Sequence, residues 1–437
     1  MNLFFIICIS IFCGIISYDG SVHFFSTRVY LTSLVIQIFS LTQIFNDKYK
    51  NFSLYKIFYL FTLFFLGIAP VLQYYKKEPF FEAPLITEEW YFYTNVIIII
   101  ICFSYTFFYN FFYKLKKFDH LNFNRYEIPK QLSPGKSFLL IVLSIISFLA
   151  VLYANNFSIL SMLVRGGTLK KELSTESTSV NLIIAQFIRP ISFLCFLFYI
   201  STSKKNYFVT AVLLIIALVT CSPFGIARFY AAAIYLPLLL IVFDFFRKKN
   251  IFSASLILGL LFVFPALNYF RDFTKLSKIK FGLDFEMFNS GHFDSFQNFS
   301  LIVSHSDITW GRQLLGVIFF WVPRVFWPNK PEGSGTYLAK QLRFSFDNIS
   351  ANFFAEGYVN FGIFGIFLFT VIISYVTAYA DKLYWNQFHN KRNFIKIAYF
   401  ITLGMFFFML RGDLLSSFAY TMGFLLSFYT IYKLLKI

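Results

Sequence analysis

The run Tyr91-Phe92-Tyr93-Thr94-Asn95-Val96-Ile97-Ile98-Ile99-Ile100-Ile101-Cys102-Phe103 continues to Tyr113 without a single charged residue. At about 1.5 Å of helical rise per residue, such a run crosses the ~30 Å hydrocarbon core of a bilayer. Comparable apolar stretches fall near 2–17, 28–45, 54–74, 137–154, 182–202, 207–222, 229–246, 251–269, 357–380, 394–411 and 415–434. They predict an all-α polytopic membrane protein with about twelve transmembrane helices. Composition agrees. Hydrophobic residues make up 58% and charged residues 14% of the 437, too little charge to cover a soluble protein of this size. The mean hydropathy is +0.66.

The formal charge of +17 matters less than where the basic residues fall. Lys114, Lys116, Lys117, Arg125, Lys130 and Lys136 crowd one short loop, and Lys204-Lys205, Arg247-Lys248-Lys249 and Lys391-Arg392 mark others. Short basic runs beside span ends are the mark of cytoplasmic loops rather than of nucleic-acid binding. With 46–53, 114–136, 203–206, 247–250 and 381–393 inside, both termini are cytoplasmic. The segments 18–27, 75–90, 155–181, 223–228, 270–356 and 412–414 then face outward. Leu3 to Ile16 has no basic leader and no small-residue cleavage site, and reads as an uncleaved first span. Cys8, Cys13, Cys102 and Cys195 lie in apolar segments and Cys221 at a span end, with no metal or disulfide spacing. Residues 1–437 therefore read as one integral membrane domain. Two outward loops are long, the third (155–181) and the fifth (270–356).

The fifth loop holds the run Phe320-Trp321-Val322-Pro323-Arg324-Val325-Phe326-Trp327-Pro328-Asn329-Lys330-Pro331. Loops of this length are usually functional or disordered, and this one is too aromatic for disorder. The apolar stretch Gln313 to Phe320 is too short to span, so a re-entrant or interfacial helix ending near Pro323 is expected. Arg165, Arg228, Arg271, Arg312 and Arg324, with Lys330, all fall on the outer side, against the usual topology bias. Guanidinium forks grip phosphate bidentately, so a cluster there suits an anionic, lipid-linked ligand. The plainer alternative is that each snorkels to headgroups or pairs with Asp272, Asp307 or Glu332. Arg189, deep in its span before Pro190, lines a cavity or makes a structural hydrogen bond. Glu356 is either a helix cap or a base facing an outward cavity. His305 is a second base candidate, against the reading of a solvated loop histidine. No Gly-rich phosphate loop, HExxH, CxxC or Asp-x-Asp pair occurs; Glu88-Glu89-Trp90 is the nearest acidic pair. Any phosphate charge must then be met by arginine.

Three segments together resemble a known family: Gly311-Arg312-Gln313-Leu314-Leu315, the run from Val322 to Pro331, and Glu356-Gly357-Tyr358-Val359-Asn360-Phe361-Gly362. The pattern is similar to the O-antigen polymerases of the Wzy type, among the oligosaccharide repeat-unit polymerases of bacterial surface polysaccharides. That family's loops carry an arginine followed eleven residues later by glycine. Arg324 and Gly335 fit; in the third loop Arg165 meets Glu176 instead, so Arg165 carries over only as a basic residue.

The resemblance implies a C-type, metal-independent glycosyltransferase without cofactor, in the inner membrane and working at its periplasmic face. One undecaprenyl-diphosphate-linked glycan is transferred to another lipid-linked repeat, and undecaprenyl diphosphate leaves. A chain-length regulator and a flippase of the same pathway are the expected partners. On this reading Arg165, Arg228, Arg271, Arg312, Arg324 and Lys330 hold the diphosphate, Arg324 acting in catalysis. Glu356 or His305 orients or deprotonates the acceptor hydroxyl, and Trp321, Trp327 and Tyr358 stack on sugars or anchor the interface. The competitors are an O-antigen ligase, which shares the outward loop and arginines, and a flippase or exporter. The run from Pro323 to Pro331 favours the polymerase over the ligase. Charged residues within spans are few, chiefly Arg189, which disfavours the transporter.

Overall fold

Hydroxyl side chains start the first helices. Ser26 Oγ accepts the Val29 N–H at the head of α1 (Thr27–Ile44), and Ser53 Oγ accepts that of Lys56 at the head of α2 (Leu54–Lys76). Thr87 and Ser133 do the same for α3 (Glu88–Lys114) and α4 (Pro134–Ala154), satisfying amides that a helix leaves unpaired in its first turn. The computed structural model describes residues 25–115, 127–163, 179–248, 250–263, 285–389 and 393–435. The chain continues through α5 (Val180–Ile200), α6 (Tyr207–Thr220), α7 (Arg228–Val242) and α8 (Ile251–Leu258). Three short helices follow before the next long one: α9 (Ser295–His305), α10 (Arg312–Ile318) and α11 (Ser334–Gln341). Then come α12 (Phe353–Leu383), α13 (Phe394–Arg411) and α14 (Leu414–Leu435).

Among the described residues seven helices are long and apolar enough to cross a bilayer: α2, α3, α4, α5, α12, α13 and α14. The expected number was about twelve. The stretch 2–17 lies outside the described residues. The stretch 28–45 is α1, which carries Arg28, Gln37 and Gln43 and is not among the seven. The apolar helices Tyr207–Thr220, Tyr230–Val242 and Ile251–Phe262 are shorter. Extended backbone at Phe243 (φ −113, ψ 100) ends α7 early, which periodicity does not reveal.

α2 is the core. Of its most apolar window 94% is buried, against 22% for α4, so α2 is surrounded by protein while α4 presents most of its surface outward. A π-helical stretch at Thr62–Ile68 interrupts α2, and Gln37 Nε2 of α1 donates to the Gly67 carbonyl at 3.0 Å. Elsewhere small residues let helices approach. A side chain at Gly404 of α13 would collide with the Ala233 backbone of α7, so that pair packs backbone to backbone.

Two buried carboxylates tie the helices together. Asp381, near the end of α12, accepts from Leu54 N (2.9 Å) and Tyr55 N (3.2 Å) at the head of α2. It also accepts from Tyr109 Oη of α3 (2.7 Å) and Tyr399 Oη of α13 (2.6 Å). Asp294, just before α9, pairs with Arg411 Nη2 at the end of α13 (2.9 Å) and accepts from Ser350 Oγ (2.7 Å). The first carboxylate gathers four helices; the second fastens the head of α9 to α13. Replacing Asp381 with Ala leaves four buried donors without an acceptor. Each such loss costs about 1–3 kcal/mol. We expect Asp381→Ala to lose folded yield and melt well below wild type in detergent. Asp381→Asn, which keeps an acceptor oxygen, falls between them.

Candidate functional site

The site begins with a break in α12. Phe361 (φ −144) and Gly362 (φ 63, ψ −148) leave helical geometry, and only glycine adopts the second conformation without strain. The break leaves carbonyls just before it free to take donors from the chain that leads into α10. Thr309 N–H donates to Val359 O (2.7 Å) and Gly311 N–H to Asn360 O (3.1 Å). Leu314 N–H donates to Asn360 Oδ1 (2.8 Å). The short helix α10 is thereby docked on α12.

After α10 the chain folds back on itself. Lys330 Nζ donates to Phe320 O (2.6 Å) and Val322 O (3.0 Å), and Arg324 Nη1 donates to Lys330 O (2.8 Å). The return leads into α11, whose first turn sits between two carboxylates. Gly335 N–H donates to Asp413 Oδ2 (3.0 Å), and Ser334 Oγ donates to Glu356 Oε2 (2.7 Å). Asp413 Oδ1 also accepts from Ser416 N (3.3 Å), and Glu356 Oε1 from Leu414 N (2.9 Å), both at the head of α14. Burial pushes Asp413 above the usual carboxylate range, while the backbone amides of Gly335 and Ser416 act against that shift.

These turns enclose a cavity of about 540 Å³ whose lining includes Arg312, Gln313, Arg324, Lys330, Glu332 and Lys340. Four cations face one carboxylate, a net charge of +3. Lys340 pairs with Glu332, which leaves Arg312, Arg324 and Lys330 as the excess. Partial burial and the neighbouring Arg324 guanidinium hold Lys330 below the ordinary lysine range. Gln313 is buried, and its Oε1 meets no donor. Tyr337 closes one side, its hydroxyl raised by burial and by the charge of Asp307.

Three of the six cations singled out from sequence therefore share one chamber: Arg312, Arg324 and Lys330. Lys340 joins them unanticipated. Arg165 and Arg271 lie outside the described residues, as does the side chain of Arg228, which opens α7. Arg189 is partly buried in α5; its Nε meets no acceptor, and its carbonyl accepts from Ser192 Oγ.

The aromatic candidates divide. Trp321 is 68% exposed, beside Val325 (86%) and Phe326 (82%), so this turn presents an apolar surface next to the cationic cavity. Trp327 is half-buried, and neither tryptophan lines the chamber. Tyr358 lines a second cavity of about 1210 Å³ formed by the heads of α1 and α3, Val303 and α12.

Glu356 is 1% exposed and lines neither cavity; with both oxygens engaged it holds α11 to α14. His305 is exposed at the end of α9, its Nδ1 2.6 Å from Ser304 Oγ. Sequence reading passed over Asp413, although a carboxylate three residues before Ser416 at the head of an apolar run is a helix-capping signal. It assigned no role to Asn360 within the run 356–362, because that role depends on the break beside it.

Comparison with protein-family models, with curated proteins and with solved structures finds no match to this chain. The functional reading rests on the residues themselves.

Gly335 shows why a glycine stands eleven residues after Arg324. A Cβ there would run into the Ile349 carbonyl while the amide is held by Asp413. Gly335→Ala is expected to cost about 2 kcal/mol, as overpacking of a tight site does. Thermal melting in detergent checks this against Gly135→Ala, where a Cβ meets nothing within 4 Å.

Proposed function

We propose that the protein is a membrane glycosyltransferase that polymerises polyprenyl-diphosphate-linked oligosaccharide repeat units, as the resemblance to O-antigen polymerases implies. The observation that carries this reading is the chamber lined by Arg312, Arg324, Lys330 and Lys340 beside an exposed apolar turn. A diphosphate joined to a long isoprenoid has the same two parts, a dense anionic group and an apolar tail. Three unneutralised cations match a diphosphate, and Val325 and Phe326 offer the tail an apolar surface at the chamber's edge.

In this mechanism a hydroxyl oxygen of the acceptor glycan attacks the anomeric carbon of the donor. The bond from that carbon to the diphosphate oxygen breaks, and its electron pair leaves with polyprenyl diphosphate. Arg312 and Arg324 meet the charge that grows on the leaving group, an effect strongest where fixed cations face a water-poor site. Lys330 and Lys340 bind the diphosphate in both ground and transition states. His305, whose Nε2 is not the nitrogen facing Ser304, takes the hydroxyl proton. Glu356 keeps the frame. The finer topology belongs to the same proposal: about twelve spans, both termini cytoplasmic, and the chamber on the periplasmic side of the inner membrane. A flippase and a chain-length regulator of that pathway would work beside it.

The test is a reaction of purified, reconstituted protein with lipid-linked repeats alone. A ladder of longer lipid-linked glycans is expected. A product seen only when a lipid-A core acceptor is added would mean a ligase. Translocation without any new bond would mean a transporter. Arg324→Ala is expected to slow polymerisation by about 10²-fold, the scale for removing one charge-stabilising donor. Arg324→Lys restores little of it, because an ammonium lacks the bidentate fork. Full activity in both variants would sink the assignment of Arg324.

Lys330 supplies a pH signature. With its pKa lowered, it loses its proton at lower pH than an ordinary lysine, so diphosphate affinity should decline as pH rises through the alkaline range. Lys330→Arg keeps its charge, and its affinity should hold where that of wild type declines. Binding of undecaprenyl diphosphate followed across pH 7–10 reads this out, with Lys at about 10.4 as the unperturbed reference.

A further inference from the structure

The larger cavity, about 1210 Å³, has chemistry opposite to that of the cationic chamber. Its lining carries Glu88, Glu89 and Arg28, a net charge of −1, together with Trp90, Tyr93 and Tyr358. Glu88 is positioned by its neighbours: Ser26 Oγ donates to Oε1 at 2.6 Å and Tyr74 Oη lies 3.4 Å from Oε2. The Glu89 carboxylate meets no donor among the described residues and is free to accept from a ligand. The Trp90 and Tyr93 rings meet edge to face at 5.7 Å, which fixes an aromatic wall beside the two carboxylates.

We propose that this cavity binds the uncharged part of an acceptor oligosaccharide, a proposal that rests on the glycosyltransferase reading above. Sugar hydroxyls donate to carboxylates, and the apolar faces of sugar rings pack on aromatic rings. A diphosphate is repelled by the two glutamates and drawn to the cationic chamber instead. Charge therefore sorts the two ends of the reaction into two places. The volume exceeds the ~300–1,000 Å³ typical of small-molecule pockets, as a ligand of several sugars requires.

The two cavities are linked through neighbouring residues. Tyr358 lines the acidic one, and its neighbour Val359 accepts through its carbonyl from Thr309, which lines the cationic one. Val303 lines the acidic cavity and Ile308 the cationic one, five residues apart in the same segment.

Calorimetric titration of full-length protein in nanodiscs tests the proposal with two probes. One is the free glycan released by mild acid from the polyprenyl-linked pool of the producing cells. The other is undecaprenyl diphosphate. Trp90→Ala and Glu89→Gln are each expected to weaken the free glycan by about tenfold, the scale of one stacking or charge-assisted contact. Trp90→Tyr keeps a stacking ring and should restore much of that loss, which separates a binding role from a folding one. Arg324→Ala should leave the free glycan unaffected and weaken the diphosphate, and Trp90→Ala should do the reverse. Glycan binding that is absent in wild type, or unchanged in both Trp90→Ala and Glu89→Gln, overturns this inference while leaving the diphosphate chamber standing. Diphosphate binding indifferent to Arg324 counts instead against the glycosyltransferase reading.

Discussion

The arrangement of the segment between α9 and α12 depends on how two buried carboxylates grip the first turn of α11. Asp413 accepts the Gly335 amide and, on its other oxygen, an amide at the head of α14. Glu356 accepts the Ser334 hydroxyl and the Leu414 amide. Two helix N-termini, each with unpaired amides and a partial positive charge, are thus held by acidic groups belonging to α12 and to the turn before α14. That grip fixes the head of α11, while the hydrogen bonds of Lys330 and Arg324 close the turn before it and Gln341 Nε2 ties its end to the His305 carbonyl. Gly335 is constrained twice over, by the amide it donates and by the Ile349 carbonyl beside its Cα.

A second constraint works with the first. The helix break at Phe361–Gly362 is a local loss of regular hydrogen bonding, and the released Val359 and Asn360 carbonyls become the dock for residues 309–314. Irregular backbone at such a place persists only where other groups take up the freed donors and acceptors. The same break brings Tyr358 to one cavity and Thr309 to the other. A cation-rich and an acid-rich cavity are thereby lined by residues that are neighbours in the chain.

Much of this was legible in the residues, and the failures are instructive. Uncharged runs such as 91–113 marked the long helices, because burying a charge in hydrocarbon is costly enough to shape composition. Arg312, Arg324 and Lys330 were singled out together from sequence, and they do line one chamber. Glu356 carried two readings that sequence could not separate, cap or base. Its neighbours Ser334 and Leu414 lie 22 and 58 residues away along the chain, so only folding reveals that both oxygens are taken. Trp321 and Trp327 carried two readings, stacking on sugars or anchoring at the interface, and the turn at Pro323 leaves Trp321 exposed with Val325 and Phe326.

By itself the sequence determined the medium and the charge. Hydropathy along the chain commits it to helices in a bilayer, because only structures that satisfy their own backbone persist there. The sequence also places a set of cations in the segment before α12, without saying which of them meet. Tertiary structure alone decided which cations meet, that Lys340 completes the set, and that a second cavity is lined by Glu88 and Glu89. The reason is physical. Membrane insertion is set by local composition, whereas a chamber is set by contacts between residues far apart in the chain, and those follow from a few hydrogen bonds at helix ends that hydropathy does not register.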